Sequence, residues 1–436
     1  MTPGLIEIAQ GVASDISPAR PFGRVRAIDG GAIRIAGLSE LARIGDSVLI
    51  DGAQAGEIIA VDGDLVLAMP SSAVTGISIG ARAYLKADDG ARPTRAWLGR
   101  VLNGFGQSFD GSSAPQGMAM PLSPPPLPVN ARRRLGPRIN TGLAAFDTFL
   151  PLCRGQRIGL FAGSGVGKSS LLADLANGVE ADVVVLALIG ERSREVRDFL
   201  EETLGAEGRA RSVVIVSTCD DPATLKRRAA LLAMTTAEYF RDLGLHVLLL
   251  FDSVTRFADA YREIGLTAGE TPSLRAYPPS TFRTVAGLAE RAGPGIGDAG
   301  DITAIFSVLV AGSDMDEPVA DMMRSILDGH VVLERAIAER GRFPAIDIRR
   351  SVSRALPRAA NEEENQLLGA GRSLIAAYEE AATMIQTGLY AAGSDRQIDR
   401  AVAAWPALDS FVGDKSENCE EAFQRLAAIV GEEKKT

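Results

Sequence analysis

Histidine and cysteine are scarce in this chain of 436 residues, which has two histidines, His246 and His330, and three cysteines, Cys153, Cys219 and Cys419. Two histidines exclude a histidine-rich metal centre and leave a histidine-based triad without support. The cysteines are odd in number, far apart and in no metal-binding spacing, which reads as free thiols in a reducing compartment. Lysine is rare too, only six of the 46 basic residues, and between Lys86 and Lys226 the chain places only Lys168. No apolar run reaches the roughly 20 residues that a membrane-spanning helix needs. The opening MTPGLIEIAQ lacks a basic region followed by an apolar core, so no signal peptide is expected. A formal net charge of −9 argues against a sequence-independent electrostatic grip on nucleic acid, though not against a local basic channel in an oligomer. What remains is an ordinary folded composition, 46% hydrophobic and 23% charged, long enough for two or three domains. A cytoplasmic protein is expected, touching membranes only through partners.

The pattern is organised around residues 158–175, IGLFAGSGVGKSSLLADL. A short apolar strand runs into a Gly-rich turn and then a helix beginning near Lys168. The turn is Ala162-Gly163-Ser164-Gly165-Val166-Gly167-Lys168-Ser169. Its glycines let successive N–H groups curl inward, and the helix N-terminus adds partial positive charge there, which together suit a polyphosphate. Lys168 is placed to meet the β- and γ-phosphates and Ser169 to ligate Mg²⁺, as in a P-loop. The strict pattern asks for glycine where this chain has Ala162.

Before that loop, six or so short strand-like pieces, the first two joined by a hairpin signal at Asp29-Gly30-Gly31, predict a small closed barrel before residue 90. Residues 1 to about 20 carry little pattern, either a short helix or a disordered arm. Trp97 to Gly111 should be mostly turns, and the proline cluster from Pro121 to Pro128 a stiff connector. From about 135 to 345, apolar strands at 183–189, 213–217, 247–251 and 302–310 alternate with helical stretches, implying a mainly parallel sheet with its ligand site at the strand C-termini. Asp221-Pro222 reads as the N-cap and N1 of a helix presenting Leu225, Ala229, Leu232, Thr236 and Tyr239 on one face. After about 350 no strand-like run remains. Helices are expected at 367–387 and 417–430, with a turn at Gly393-Ser394-Asp395 and a charged tail from Glu432 to Thr436.

A P-loop enzyme also needs an acid at the end of a neighbouring strand for the Mg²⁺ shell, and Asp252 closes the run VLLLF. It needs a group to position the attacking water, and Glu191, at the end of another strand, is the candidate. Arg192 beside it either contacts the γ-phosphate or orients Glu191. On spacing alone, Gly341 to Arg354 is a turn followed by a basic surface segment.

These segments resemble the hexameric ATPases related to the catalytic subunits of rotary ATP synthases. Pro344-Ala345-Ile346-Asp347 with Ser351-Val352-Ser353 resembles that family's signature, and Gly190-Glu191-Arg192 its catalytic glutamate motif. Tyr277-Pro278-Pro279-Ser280 and Glu290-Arg291-Ala292 resemble the segments after Walker B. Within the family, RGQRIGLFAGSGVGKS (154–169) is similar to the P-loop of the flagellar type III export ATPases, alanine at its first position included, and the run from Gly312 to Asp321, Ile326 to His330 and Leu389 to Asp395 resemble segments shared by export ATPases. The resemblance implies a RecA-like P-loop core (96–350) with an N-terminal arm (1–22), a β-barrel (23–95) and a C-terminal helical domain (351–436).

It further implies that Glu191 polarises the attacking water, that Arg354 is an arginine finger for the neighbouring subunit, and that Phe343 lies against adenine. ATP and Mg²⁺ are the implied cofactors. The implied setting is a homohexamer at the export apparatus, peripheral to the inner membrane, with a peripheral regulator bound by the N-terminal arm, a stalk protein, the export gate, and export substrates with their chaperones. Ala311-Gly312-Ser313 departs from the family, which usually has a more acidic run there. An injectisome ATPase and a rotary catalytic subunit remain alternatives. An RNA translocase has the net charge and the lack of stacking aromatics in the barrel against it.

Overall fold

The computed structural model describes residues 21–29, 31–50, 53–71, 76–86, 90–109, 111–310 and 315–431. The N-terminal segment, the Ala311-Gly312-Ser313 run with Asp314, and the charged tail lie outside the described residues. Two compact units form, the first containing the barrel and the second the large sheet and the C-terminal helices.

The strands of the first unit are β1 (Phe22–Asp29), β2 (Ala32–Ala36), β3 (Ser47–Ile50), β4 (Ala53–Asp62), β5 (Leu65–Pro70) and β6 (Arg82–Lys86). They close in the order β1-β2-β5-β4-β3-β6. Asp29 pairs with Ala32 across the expected hairpin, and Gly23 with Ala83 where β1 meets β6. Alternation puts Val25, Ile33, Ile35, Val48, Ile58 and Val66 inside, all fully buried.

The second unit is built on β7 (Val101–Leu102), β8 (Arg157–Ala162), β9 (Val183–Glu191), β10 (Ser212–Thr218), β11 (His246–Asp252), β12 (Gly293–Pro294), β13 (Asp301–Leu309), β14 (Gly329–Leu333) and β15 (Ile346–Ser353). Their order is β15-β14-β8-β13-β11-β9-β10-β7, with β12 paired to β13. All neighbours are parallel except β15 on β14 and β12 on β13. The central strands are apolar runs because both their faces are covered. Leu160, Leu186 and Leu248 face one core, which holds helix α1 (Lys168–Gly178), while Val185, Leu249 and Phe306 face the other, which holds α2 (Ala223–Asp242).

Further helices, leaving out those of a turn or two, are α3 (Val254–Thr267), α4 (Pro279–Arg291), α5 (Pro318–Ile326), α6 (Glu362–Gln386), α7 (Arg396–Gly413) and α8 (Cys419–Gly431). Asn361 and Glu364 form a capping box at the start of α6, and the Asp395 carboxylate accepts from the first N–H groups of α7. The C-terminal helices share the α1-side core, where Phe149 meets the edge of Phe411 at 6.4 Å between centroids. Cys153 and Cys419 are buried free thiols and Cys219 an exposed one.

Several local expectations are corrected. The segment at 341–354 is no bland surface stretch: β15 buries Ile346, Ile348, Ser351 and Ser353 on one face and carries strand structure past position 350. Its alternation was masked by the arginines on its exposed face. Strand β14 and helix α7 went unread as well. The N-cap of α2 is Pro222, not Asp221, whose carboxylate instead accepts from Thr218 N–H and Ser217 Oγ–H. That helix is buried over a wider arc than expected, through Ala230, Ala233, Met234 and Phe240, because α4 packs against it as well as the sheet.

Arg291, at the end of α4, donates through Nε and Nη2 to Glu238 on α2 (2.9 and 2.6 Å) and through Nη1 to the Leu122 carbonyl (2.7 Å). Glu238 is only 5% exposed, so Arg291→Ala leaves a buried carboxylate without its partner. The expected loss is about 3–5 kcal/mol, read as a lower thermal unfolding midpoint for the second unit.

Candidate nucleotide-binding site

β8 ends at Ala162, and the chain turns through Gly163–Gly167 into α1 at Lys168. Gly165 and Gly167 take φ of +75° and +83°, the left-handed region that a side chain disfavours. Gly167 is the N-cap of α1 and offers no side chain to the first helical N–H groups, which therefore face the loop mouth unclaimed by a cap. Phe343 closes one side, since a Cβ built on Gly167 would lie 2.9 Å from its ring. The ring itself is 52% exposed. Ser169 is exposed on the first turn of the helix.

Parallel strand order gathers the remaining groups at the same edge. β11 ends in Asp252, and β9, its neighbour, runs three residues further to Glu191. Lys168 Nζ donates to Asp252 Oδ1 at 2.5 Å and to Glu191 Oε1 at 3.2 Å. Ser307, on β13 between β8 and β11, donates to the same Asp252 oxygen at 2.5 Å. Burial opposes the Lys168 charge, but the two carboxylates outweigh it and hold its pKa above the ordinary lysine value. Glu191 is pushed up by burial and by Asp252, with Lys168 pulling the other way. One ammonium thus balances two carboxylates in a largely buried cluster.

Lys168, Glu191 and Asp252 therefore meet, with Phe343 and Ser169 at the loop beside them. Arg192 is turned away: its guanidinium is exposed and pairs with Glu195 at 2.7 Å, not with Glu191. Arg354 lies at the far edge of the sheet. Ser353 pairs with Gly329, and His330 of that strand pairs with Gly159, so Arg354 stands level with the start of β8. The five residues from there to Ala162 span about 17 Å, well beyond the reach of an arginine side chain. Its Nη2 donates to the Arg324 carbonyl at 3.1 Å.

Two neighbours of the cluster went unread. Ser307 had a signal, a hydroxyl inside the apolar run ITAIFSVLV. Arg256 had little: it lies on α3, with its stem against Gly190 (a Cβ there would meet the arginine Cβ and Cγ at 2.9 Å), where φ is +75°. The segments after Walker B serve packing: the Tyr277 hydroxyl donates to Asp259 at 2.8 Å, and Glu290 pairs with Arg157 at 2.6 Å.

Residues 142–353 match the model of the ATP synthase alpha/beta family nucleotide-binding domain, and residues 360–428 that of the T3SS EscN ATPase C-terminal domain. The chain is 45% identical to the flagellum-specific ATP synthase of Caulobacter vibrioides, over 96% of this chain and 98% of that protein. It is 41% identical to the SPI-2 type 3 secretion system ATPase of Salmonella typhimurium, over 87% and 88%. Among solved structures it is similar to the assembled ATPase EscN of the enteropathogenic E. coli type III secretion system, with TM-score 0.86 and 38% identity over 94% of this chain and 100% of that one. EscN in complex with its central stalk EscO matches at TM-score 0.85 and 39% identity, with the same coverage.

An activity that needs the Glu191 anion must fail on the acid side at a pH above the ordinary glutamate range, since protonation sets in where the raised pKa lies. The acid limb of kcat/KM for ATP hydrolysis measures this, and Glu191→Gln should abolish the limb along with most of the rate.

Proposed function

Because the chain belongs to the ATP synthase alpha/beta family, in its branch of type III export ATPases, we propose that it hydrolyses ATP with Mg²⁺ to energise export of flagellar proteins during flagellum assembly. The observation that carries the chemistry is Lys168 held between Glu191 and Asp252 at the mouth of the P-loop. In this reading the loop N–H groups of residues 162–169 cradle the phosphates and Lys168 leaves its carboxylates to meet the β- and γ-oxygens. Glu191, freed of that pairing, polarises the water that attacks the γ-phosphorus, and the β–γ bridging oxygen departs with ADP. Arg192, exposed and close in sequence, serves at most the rim of the site.

The donors near the loop, the Ser169 hydroxyl and the Asp252 carboxylate, are hard oxygens and fit Mg²⁺. Ser169 and Asp252 would hold the ion, which would supply charge neutralisation for the phosphates. Phe343 offers a face for the adenine ring; having no hydroxyl, it stacks without hydrogen bonding.

The position of Arg354 favours a site completed in trans, because it lies too far from its own P-loop to serve it. A ring of identical chains, a homohexamer, brings one chain's Arg354 to the next chain's γ-phosphate, where a guanidinium is worth about 10³-fold or more in rate. The partners of this reading are a peripheral regulator, a stalk protein along the ring axis, the export gate, and export substrates with their chaperones. Among the described residues no helix is long and apolar enough to cross a membrane. The proposed location is accordingly the cytoplasmic face of the inner membrane, reached through those partners. The flagellar assignment draws on the nearly full-length likeness to the Caulobacter protein. The SPI-2 relative supports an injectisome as the second reading.

Specific ATPase activity with Mg²⁺ should rise steeply with protein concentration. Arg354→Ala should lower it about 10³-fold with ATP binding retained, and Glu191→Gln by a factor of about 10²–10⁴. Rings co-assembled from these two inactive variants should regain activity, since some interfaces then join an intact Glu191 to an intact Arg354. Flat activity at every dilution, or no recovery on mixing, overturns the shared site.

A further inference from the structure

In RGQR, the stretch that leads into β8, the proposed chemistry leaves the glutamine without a task. Gln156 is fully buried, and both polar atoms of its carboxamide are hydrogen-bonded. Its Oε1 accepts from Cys153 N–H at 2.8 Å. Its Nε2 donates to Ser353 Oγ at 3.0 Å and to the Asp328 carbonyl at 3.1 Å. Both acceptors belong to the mounting of Arg354. Ser353 precedes it in the chain, and the Asp328 carbonyl also receives the Arg354 N–H at 2.9 Å. Ser353 Oγ in turn donates to the Pro151 carbonyl at 2.7 Å, and the Asp328 carboxylate is held by Arg157 through its backbone N–H at 3.0 Å and its Nε at 3.2 Å.

We infer that Gln156 is a positioning residue for Arg354: it fixes the end of β15 to the head of β8, so that the guanidinium is presented in one place to the neighbouring chain. The inference rests on the reading of Arg354 as a finger acting in trans. It extends that reading, because β8 is a single strand of about 20 Å with Gln156 and Arg157 at its head and the P-loop at its tail. The finger offered to one neighbour is thereby mounted on the strand that carries the chain's own phosphate loop. Fingers are sensitive to placement, since a displacement of about 1 Å can cost about 10²-fold in rate. A buried amide with all three bonds made has no alternative arrangement of equal energy, which is what such a mounting requires.

The test separates the two sides of the shared site. Rings are co-assembled from Arg354→Ala chains, which supply the base, and Glu191→Gln chains, which supply the finger. Gln156→Ala is then added to one partner at a time. Placed in the finger-supplying chain, it should lower the recovered kcat at least tenfold with KM for MgATP little changed. Placed in the base-supplying chain, it should leave most of the recovered activity. Equal losses in both placements make Gln156 merely structural and overturn the proposal, as does no loss in either. Absence of recovery between the parent variants, before Gln156 is touched, overturns the trans reading itself and removes the basis of this one. Should Gln156→Ala fail to fold, Ser353→Ala, which deletes one of the two acceptors, decides by the same asymmetry.

Discussion

A lysine ammonium between two carboxylates is the constraint to which the rest of the larger unit answers. Lys168, Glu191 and Asp252 come from the ends of three segments that are far apart in the chain, and only a parallel sheet brings such ends to one edge. The apolar runs of β9 and β11 therefore do two jobs: they bury both sheet faces, and they deliver an acid to a shared point. A buried cluster of one positive and two negative charges is poorly solvated, so its members are held by each other and by Ser307. The cluster also stands where a polyphosphate has to arrive. On the proposed reading, Lys168 exchanges carboxylate oxygens for phosphate oxygens, and loop N–H groups with a divalent cation meet the surplus negative charge.

The two edges of the sheet carry different tasks. At the C-terminal edge lies the chain's own loop; at the N-terminal edge lie Arg354, Asp328 and Gln156. In the proposed ring both edges act at once, one chain's loop receiving its neighbour's Arg354.

Much of this was legible in the sequence because the signals are local. The strand–turn–helix around Lys168, the acids after apolar strands and the six-stranded barrel each announce themselves within a dozen residues. β15 was not legible. Its period-two burial is present in Ile346, Ile348, Ser351 and Ser353, but a shift in pairing between His330 and Val332 of its partner and a row of arginines break the alternation. Arg192 is adjacent to Glu191 in sequence, but at the start of the short helix Ser193–Asp198 its side chain pairs with Glu195 instead. Arg256 and Gln156 went unread because their partners, Gly190 and Ser353, are distant in the chain and are joined only by the fold.

Phe343 beside the P-loop bears on which nucleotide is taken. A phenyl ring presents an apolar face and carries no donor or acceptor, so it registers that a planar base is present without reading the groups on its edge. On the proposed reading, phosphate number is met by the Lys168 ammonium and the loop N–H groups, with the two acids acting through the cation and the water. Guanine and adenine stack alike on such a face, whereas a diphosphate forfeits charge contacts that a triphosphate makes. In that reading, Phe343 does not itself tell one base from another, whereas the charged groups at the loop respond to the length of the phosphate chain.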